Sequence, residues 1–315
     1  MIRPKTLKKG DTIGLVAPSG FVSEEGLKSS IISIESLGLE VELTESCFRK
    51  YGYLAGSDEV RAAGINELFA NDNIDGIFCV RGGYGSQRIL PMLDFEMIKR
   101  KPKFFAGFSD ITALHIVFNQ VCGFITYHSP MPAWFDKPFR DIDEFSKDTF
   151  EKCLFSEDNF KVIKNEISMP PIEIMHAGKA KGVLTGGNLS IIASSMGTEY
   201  EIDTKGKILF LEDVGEQPYS IDRMLVQLRN SGKLDDAVGF ILGDFADCTA
   251  KNPSKSLTLN QVFEDIILPL KKPILYKVPC GHCKPTMTLP MGSIAEISLN
   301  GDISFNVSLA SSNSR

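Results

Sequence analysis

No apolar run in this 315-residue chain approaches the roughly 18 residues that a membrane-spanning helix needs. No run of basic residues occurs either. Lys plus Arg number 34 against 40 Asp plus Glu, and the net charge of −6 argues against a nucleic-acid binder. Arg3, Lys5, Lys8 and Lys9 look like the charged start of a signal peptide. The apolar stretch after them, Ile13 to Ala17, is interrupted by Gly14 and stopped by Pro18, too short for export. A cytoplasmic location is therefore expected. The seven cysteines are odd in number and irregularly spaced, which fits reduced thiols better than a disulfide framework. Histidine is scarce, at four residues, and there is one tryptophan, Trp134. Neither an internal repeat nor a low-complexity tract is present.

What the chain does have is an ordinary globular composition, 43% hydrophobic and 23% charged, at a length that suggests about two domains. In the first half, apolar strands alternate with helices. Thr12–Ala17, Leu39–Leu43, Gly76–Val80, Lys103–Phe108 and Gly123–Tyr127 read as strands. Helices are expected at about Ser23–Leu37 and after Ser57, which is placed to cap one. This pattern predicts an α/β fold with a parallel sheet covered on both faces, and active sites in such sheets lie beyond the carboxyl ends of the strands. We expect an N-terminal domain over 1–135, a connecting segment over 136–178 that includes a short helix near Asp143–Phe155 and Pro170-Pro171, and a C-terminal domain over 179–315. In that last part, helices are expected at Asn188–Met196, Pro218–Ser231 and Thr258–Leu268. Strands are expected at Lys207–Glu212, Val238–Leu242 and Ile274–Val278, with a hairpin about Asn300-Gly301.

Ser109 and Asp110 sit where the Lys103–Phe108 strand gives way to a helix with Ile111, Leu114, Val117, Phe118 and Val121 on its inner side. A serine there has its hydroxyl at the sheet edge, beside unpaired amides of a first helical turn that can stabilise an oxyanion. Ser-Asp before an apolar helix is also ordinary N-capping, and Ile111 stands where a nucleophile-elbow pattern has its last glycine. Arg81-Gly82-Gly83-Tyr84-Gly85 follows another strand. It reads as a plain tight turn, as a partial dinucleotide fingerprint lacking its third glycine, or as a loop whose Gly82 or Gly83 amide completes an oxyanion hole for Ser109. Arg81 would then pair with a substrate carboxylate. Leu211-Glu212-Asp213-Val214-Gly215-Glu216 places acids after a buried strand, where a solvated strand end is the commoner role. Pro279-Cys280-Gly281-His282-Cys283 puts a histidine in a glycine-containing loop after a strand. Cys280, His282 and Cys283 fall short of the four ligands of a zinc site. His115 suits a core or surface role, His128 could line a site, and His176 is assigned nothing. Ser109, an acid near 212 and His282 form a candidate Ser–acid–His triad, which implies a cleft between the two halves.

Taken together, these stretches resemble the serine LD-carboxypeptidases, the muramoyl-tetrapeptide carboxypeptidase family. The likeness runs nearly end to end: Gly10–Ser19, Arg81–Gly85, Gly107–Leu114, Gly186–Leu189, Leu211–Asp213 with Tyr219 and Ile221–Arg223, and Gly281-His282 before Leu289–Gly292. The resemblance implies a triad of Ser109, Glu212 and His282 and an oxyanion hole from the amides of Gly83 and Asp110; apart from the resemblance, the glycine loop itself adds Arg81, Gly82 and Tyr84 as expected substrate-binding residues. It implies a flavodoxin- or Rossmann-like N-terminal domain, a smaller mixed C-terminal domain and a homodimer. The implied activity releases the terminal D-alanine of murein tetrapeptides in cell-wall recycling, with no metal or other cofactor. Related members cleave the acyl-linked nucleotide of microcin C as self-immunity proteins, a reading for which Trp134 is the one tryptophan able to form a nucleobase shelf. A non-catalytic peptide-binding module is the rival of another class. Cys280 and Cys283 depart from the family pattern and raise the question of whether a thiol tunes His282.

Overall fold

Five short apolar segments of the first half line up as expected. A computed structural model describes residues 1–132, 134, 138–162 and 171–307, and the chain divides into two units. The first holds Met1–Asp158, Met287–Met291 and Val307; the second holds Asn159–Thr286 and Gly292–Asn306. In the first unit β1 (Thr12–Val16), β2 (Glu40–Leu43), β3 (Gly76–Cys79), β4 (Phe104–Gly107) and β5 (Thr126–His128) pair in parallel in the order β2-β1-β3-β4-β5. This is the flavodoxin-like order, whose switch point falls between β1 and β3.

The helices follow from local chemistry. Ser23 and Ser57 accept hydrogen bonds from the amides of Gly26 and Val60, and so cap α1 (Glu24–Glu35) and α2 (Asp58–Ala70). After β4 a 3₁₀ turn, Ser109–Ile111, runs into α3 (Thr112–Val117) and then a π-turn, Phe118–Cys122. The π-turn inserts one residue into the helical spacing. Val121, expected on the inner side, is therefore exposed, and Cys122 is buried in its place.

Within the segment 136–178, expected as a connection, the described residues include a helix and two short strands. Asp143 caps α4 (Glu144–Phe155), which belongs to the first unit: Phe139 stacks on Phe150 with ring centroids 4.3 Å apart, and Phe150 lies 6.0 Å from Phe78 of β3. Aromatic burial has drawn Phe139 and α4 into the core. Asp136 and Pro170 lie outside the described residues.

The second unit is built on an eight-stranded sheet. Its strands include β6 (Phe160–Val162), β7 (Glu173–His176), β8 (Ala180–Asn188), β9 (Ile208–Val214), β10 (Gly239–Ala246) and β11 (Ile274–Tyr276). The central strands β8 to β11 are parallel, with β7 antiparallel on β11. Helices α5 (Leu189–Ser194), α6 (Pro218–Asn230) and α7 (Leu259–Ile266) accompany them, α7 with a Thr258–Gln261 capping box. β12 (Leu289–Met291) then joins the first sheet, antiparallel beside β5. The chain returns to the second sheet as the hairpin β13 (Ile294–Ile297) and β14 (Ile303–Asn306), paired to β8 and β6. The fold class is thus the expected one, a parallel α/β sheet followed by a mixed sheet.

Candidate active site

Ser109 has a backbone φ of +65°, a left-handed conformation that costs a non-glycine residue about 1 kcal/mol or more. Its side chain caps nothing: the turn Ser109–Ile111 has no side-chain cap, so the N-capping reading does not hold. The strand leading into it is anchored by His115. Its Nε2 lies 2.8 Å from the carbonyl of Gly107, which can only accept, so Nε2 carries the proton; Nδ1, 2.9 Å away, accepts from the Thr126 hydroxyl. Complete burial holds this imidazole neutral, its pKa lowered to about 4.

The glycine loop after β3 comes up against Ser109. A β-carbon on Gly82 would stand 2.9 Å from Ser109 Cβ, 3.0 Å from its Oγ and 3.4 Å from the Asp110 amide nitrogen. Gly82 is held from behind, its carbonyl accepting from the Gly20 amide at 3.0 Å. Gly83 has a φ of +107°, accessible to glycine without strain. Arg81 is exposed; its Nη1 donates to the Phe21 carbonyl at 2.8 Å and its guanidinium lies 5.6 Å from the Phe21 ring centre. Tyr84 is also exposed and meets Tyr53 edge-on. Asp110 is buried, its carboxylate accepting from Ser19 Oγ and the Ser86 amide. Trp134 packs edge-on against Phe108 with centroids 5.0 Å apart, and His128 is buried at the end of β5 with its ring 5.9 Å from Phe108.

Within the second unit, Glu212 and His282 form a pair. Glu212 is fully buried, and its Oε2 accepts from His282 Nδ1 at 2.7 Å. The expectation of acids at the end of a strand needs correcting: β9 continues through Glu212 and Asp213 to Val214, paired with β8 as far as Glu212 and with β10 at Asp213 and Val214. Glycines make room for the carboxylate. A β-carbon on Gly281 would lie 2.7 Å from Glu212 Oε2, and one on Gly243 3.3 Å from Glu212 Cβ. Glu216, the other candidate acid, lies beyond the strand end. Asp213 accepts from Asn188, from the Ser190 amide and hydroxyl, and from the Val214 amide, yet burial raises its pKa to about 6.

Burial pushes the Cys283 thiol up to about 12 and that of buried Cys280 well above the ordinary value, so both stay protonated and supply no charge to His282. None of the seven cysteines is in a disulfide. Among the described residues no group of three or more His, Cys, Asp and Glu is arranged to hold a metal ion. His176 lies in β7. Sequence reasoning attached no function to Ser19, Arg61 or Ser86; only their contacts with the Ser109 turn and the glycine loop reveal one.

Comparison with known proteins shows the family. Residues 13–129 match the family model of the LD-carboxypeptidase N-terminal domain, and residues 181–297 that of the LD-carboxypeptidase C-terminal domain. A probable murein peptide carboxypeptidase from Bacillus subtilis is 42% identical over 93% of this chain and 90% of its own length. The structure of an MccF-like protein from Bacillus anthracis superposes with a TM-score of 0.85 at 26% identity, covering 97% of this chain and 99% of that one. That of muramoyltetrapeptide carboxypeptidase from Oxalobacter formigenes gives 0.79 at 30% identity over 93% and 97%. No helix among the described residues is long and apolar enough to cross a membrane.

Proposed function

The chain belongs to the LD-carboxypeptidase family, and from that premise we propose that it is a serine peptidase releasing the C-terminal D-alanine of murein tetrapeptides. Ser109 Oγ attacks the carbonyl of the L–D peptide bond. His282, whose Nδ1–H is given to Glu212, takes the serine proton on Nε2 and hands it to the leaving amine. The amides of Gly83 and Asp110 receive the oxyanion, and water then hydrolyses the acyl-enzyme. Arg81 pairs with the terminal carboxylate, and fixing both carboxylate and carbonyl excludes an L-residue by steric clash.

The observation that carries the serine mechanism is the left-handed backbone of Ser109 with Gly82 pressed against its hydroxyl. Strain of this kind persists where surrounding structure enforces it, and it accumulates at functional sites. The B. subtilis relative, named for murein peptides, supports the substrate.

Incubation with the tetrapeptide, read by mass spectrometry, should show loss of one alanine, abolished by Ser109→Ala. An unchanged peptide would remove the substrate assignment. Loss of alanine that survives Ser109→Ala would remove the nucleophile. A second reading, cleavage of a microcin-type acyl nucleotide, is favoured by the MccF-like neighbour and by the placement of Trp134 against Phe108; the same assay with such a conjugate decides it. A peptide that binds without being cleaved would point to the non-catalytic module. The proposal also includes a cytoplasmic location, which the seven cysteines outside any disulfide support, and a homodimer, which light scattering would test.

A further inference from the structure

Among the described residues Arg61 is the largest fully buried side chain, although it lies in the first turn of α2 next to exposed Glu59 and half-buried Asp58 and Val60. Its Nη1 donates to two carbonyls, Pro18 at 2.5 Å and Gly85 at 2.8 Å, and Nη2 pairs with Asp58. Pro18 follows β1 and Gly85 ends the glycine loop, so one guanidinium ties the two loops of the switch point together. Asp110 works from the other side. Its Oδ2 accepts from the Ser86 amide at 2.8 Å and from Ser19 Oγ at 2.6 Å, while its own carbonyl accepts from Ser86 Oγ at 2.6 Å.

The Gly85 carbonyl and the Ser86 amide are two ends of a single peptide group. A buried cation holds its oxygen and a buried anion holds its N–H. Both charges also reach the loop after β1, at Pro18 and Ser19. Gly85 has a φ of +125°, and a β-carbon there would stand 2.9 Å from Arg61 Nη1, so the turn leaves no space between guanidinium and backbone. Buried ions are poor devices for stability, since well-packed apolar groups of similar volume do as well or better. Here the bonds of Asp110's carboxylate to Ser19 and Ser86, and both carbonyl bonds of Arg61, go to loops at the carboxyl end of the sheet. None goes to the sheet.

We infer that Arg61 and Asp110 are positioning residues that clamp the Gly85–Ser86 peptide from both ends and so hold the Gly83 amide where the oxyanion forms beside Ser109. The inference rests on the serine mechanism proposed above. In this arrangement Arg61 touches neither substrate nor Ser109. It acts through the loop, and the Asp110 side chain does the same while its own amide serves as the second donor.

The test uses the full chain and murein tetrapeptide, with kcat and KM measured for Arg61→Lys, Asp110→Asn and the double variant, alongside thermal unfolding. Lysine keeps the charge but cannot reach both carbonyls, and asparagine keeps the shape but not the charge. The expected result is a kcat lowered by about 10²-fold in each folded single variant, the effect of losing one oxyanion donor, with KM within about threefold. The double variant should be no more than about threefold worse than the poorer single, because the two act as one unit. Folded variants with kcat within threefold of wild type, an effect confined to KM, or a double equal to the product of the singles would each overturn the clamp. Hydrogen exchange in the wild-type chain decides the matter even if the variants do not fold. The Ser86 amide should exchange as slowly as those of β3 and β4, and exchange at the rate of an open loop would overturn the inference. A wild-type chain inert toward the tetrapeptide would count against the substrate assignment, while exchange at Ser86 would still judge the clamp.

Discussion

A serine in the left-handed region stays there only if its neighbours insist, and around Ser109 they are glycines and buried polar groups. The sequence already marks Ser109, Gly82 and Gly83, because a strand-to-helix turn and a glycine loop have recognisable spellings. It does not mark Arg61, Ser19 or Ser86, whose bonds go to residues far along the chain. Gly82 offers a clean test. Its φ is not left-handed, so alanine fits the backbone, but the new methyl would press on Ser109 at 2.9–3.0 Å. Gly82→Ala should lower kcat by about 10²-fold or more while shifting the melting temperature by only a few degrees. Normal turnover in Gly82→Ala would mean that the loop does not define the nucleophile's position. Among the proposed triad, Ser109→Ala, Glu212→Ala and His282→Ala should each reduce kcat by about 10³-fold or more, with folding retained. Glu216→Ala should remain within a few-fold of wild type. If Glu216→Ala is the inactive variant and Glu212→Ala the active one, the acid has been misassigned.

Elements were legible where side chains repeat and illegible where glycine or proline carries the strand. The alternation of apolar strands and capped helices in the first half predicts β1 to β5 closely. β8, at the centre of the second sheet, was missed because Gly182, Gly186 and Gly187 dilute its pattern. Yet a β-carbon on Gly186 would sit 1.9 Å from the Phe210 carbonyl, so close approach to β9 requires glycine there. β12 was missed because it is three residues long with a proline at its centre, tolerable on an edge strand. At the junction of β4, α3 and β5, His115 makes a prediction about acid. Its pKa in the fold is about 4, below its ordinary value near 6.5, so the unfolded chain binds the proton more readily. The stability this imidazole supports is complete above pH 6.5 and is lost as pH falls toward 4, by roughly 3 kcal/mol at most. Denaturant unfolding between pH 7 and 4 should show that loss in wild type and a flatter profile in His115→Gln. Identical pH profiles for the two proteins would count against a neutral, buried His115.

At the scale of the whole molecule, neither unit is one continuous piece of chain. The first sheet takes its last strand, β12, from residues near the C-terminus, between segments that belong to the second. A fragment of residues 1–158 should therefore be poorly behaved. It contains every parallel strand of its sheet, but the β5 edge that β12 covers is open, and an open edge recruits other chains. We expect such a fragment to aggregate or to melt well below the full chain. A soluble monomer with native-like near-ultraviolet dichroism would show that β12 is dispensable.

The late strand also sets a timetable for the ribosome. β5 ends at His128 and β12 at Met291. At synthesis rates of about 5–20 residues per second, the interval between them is on the order of ten to thirty seconds. Throughout it, the strand that runs beside the Ser109 strand is a template waiting for its mate, and the nascent chain must keep that edge from other polypeptides until β12 has been made.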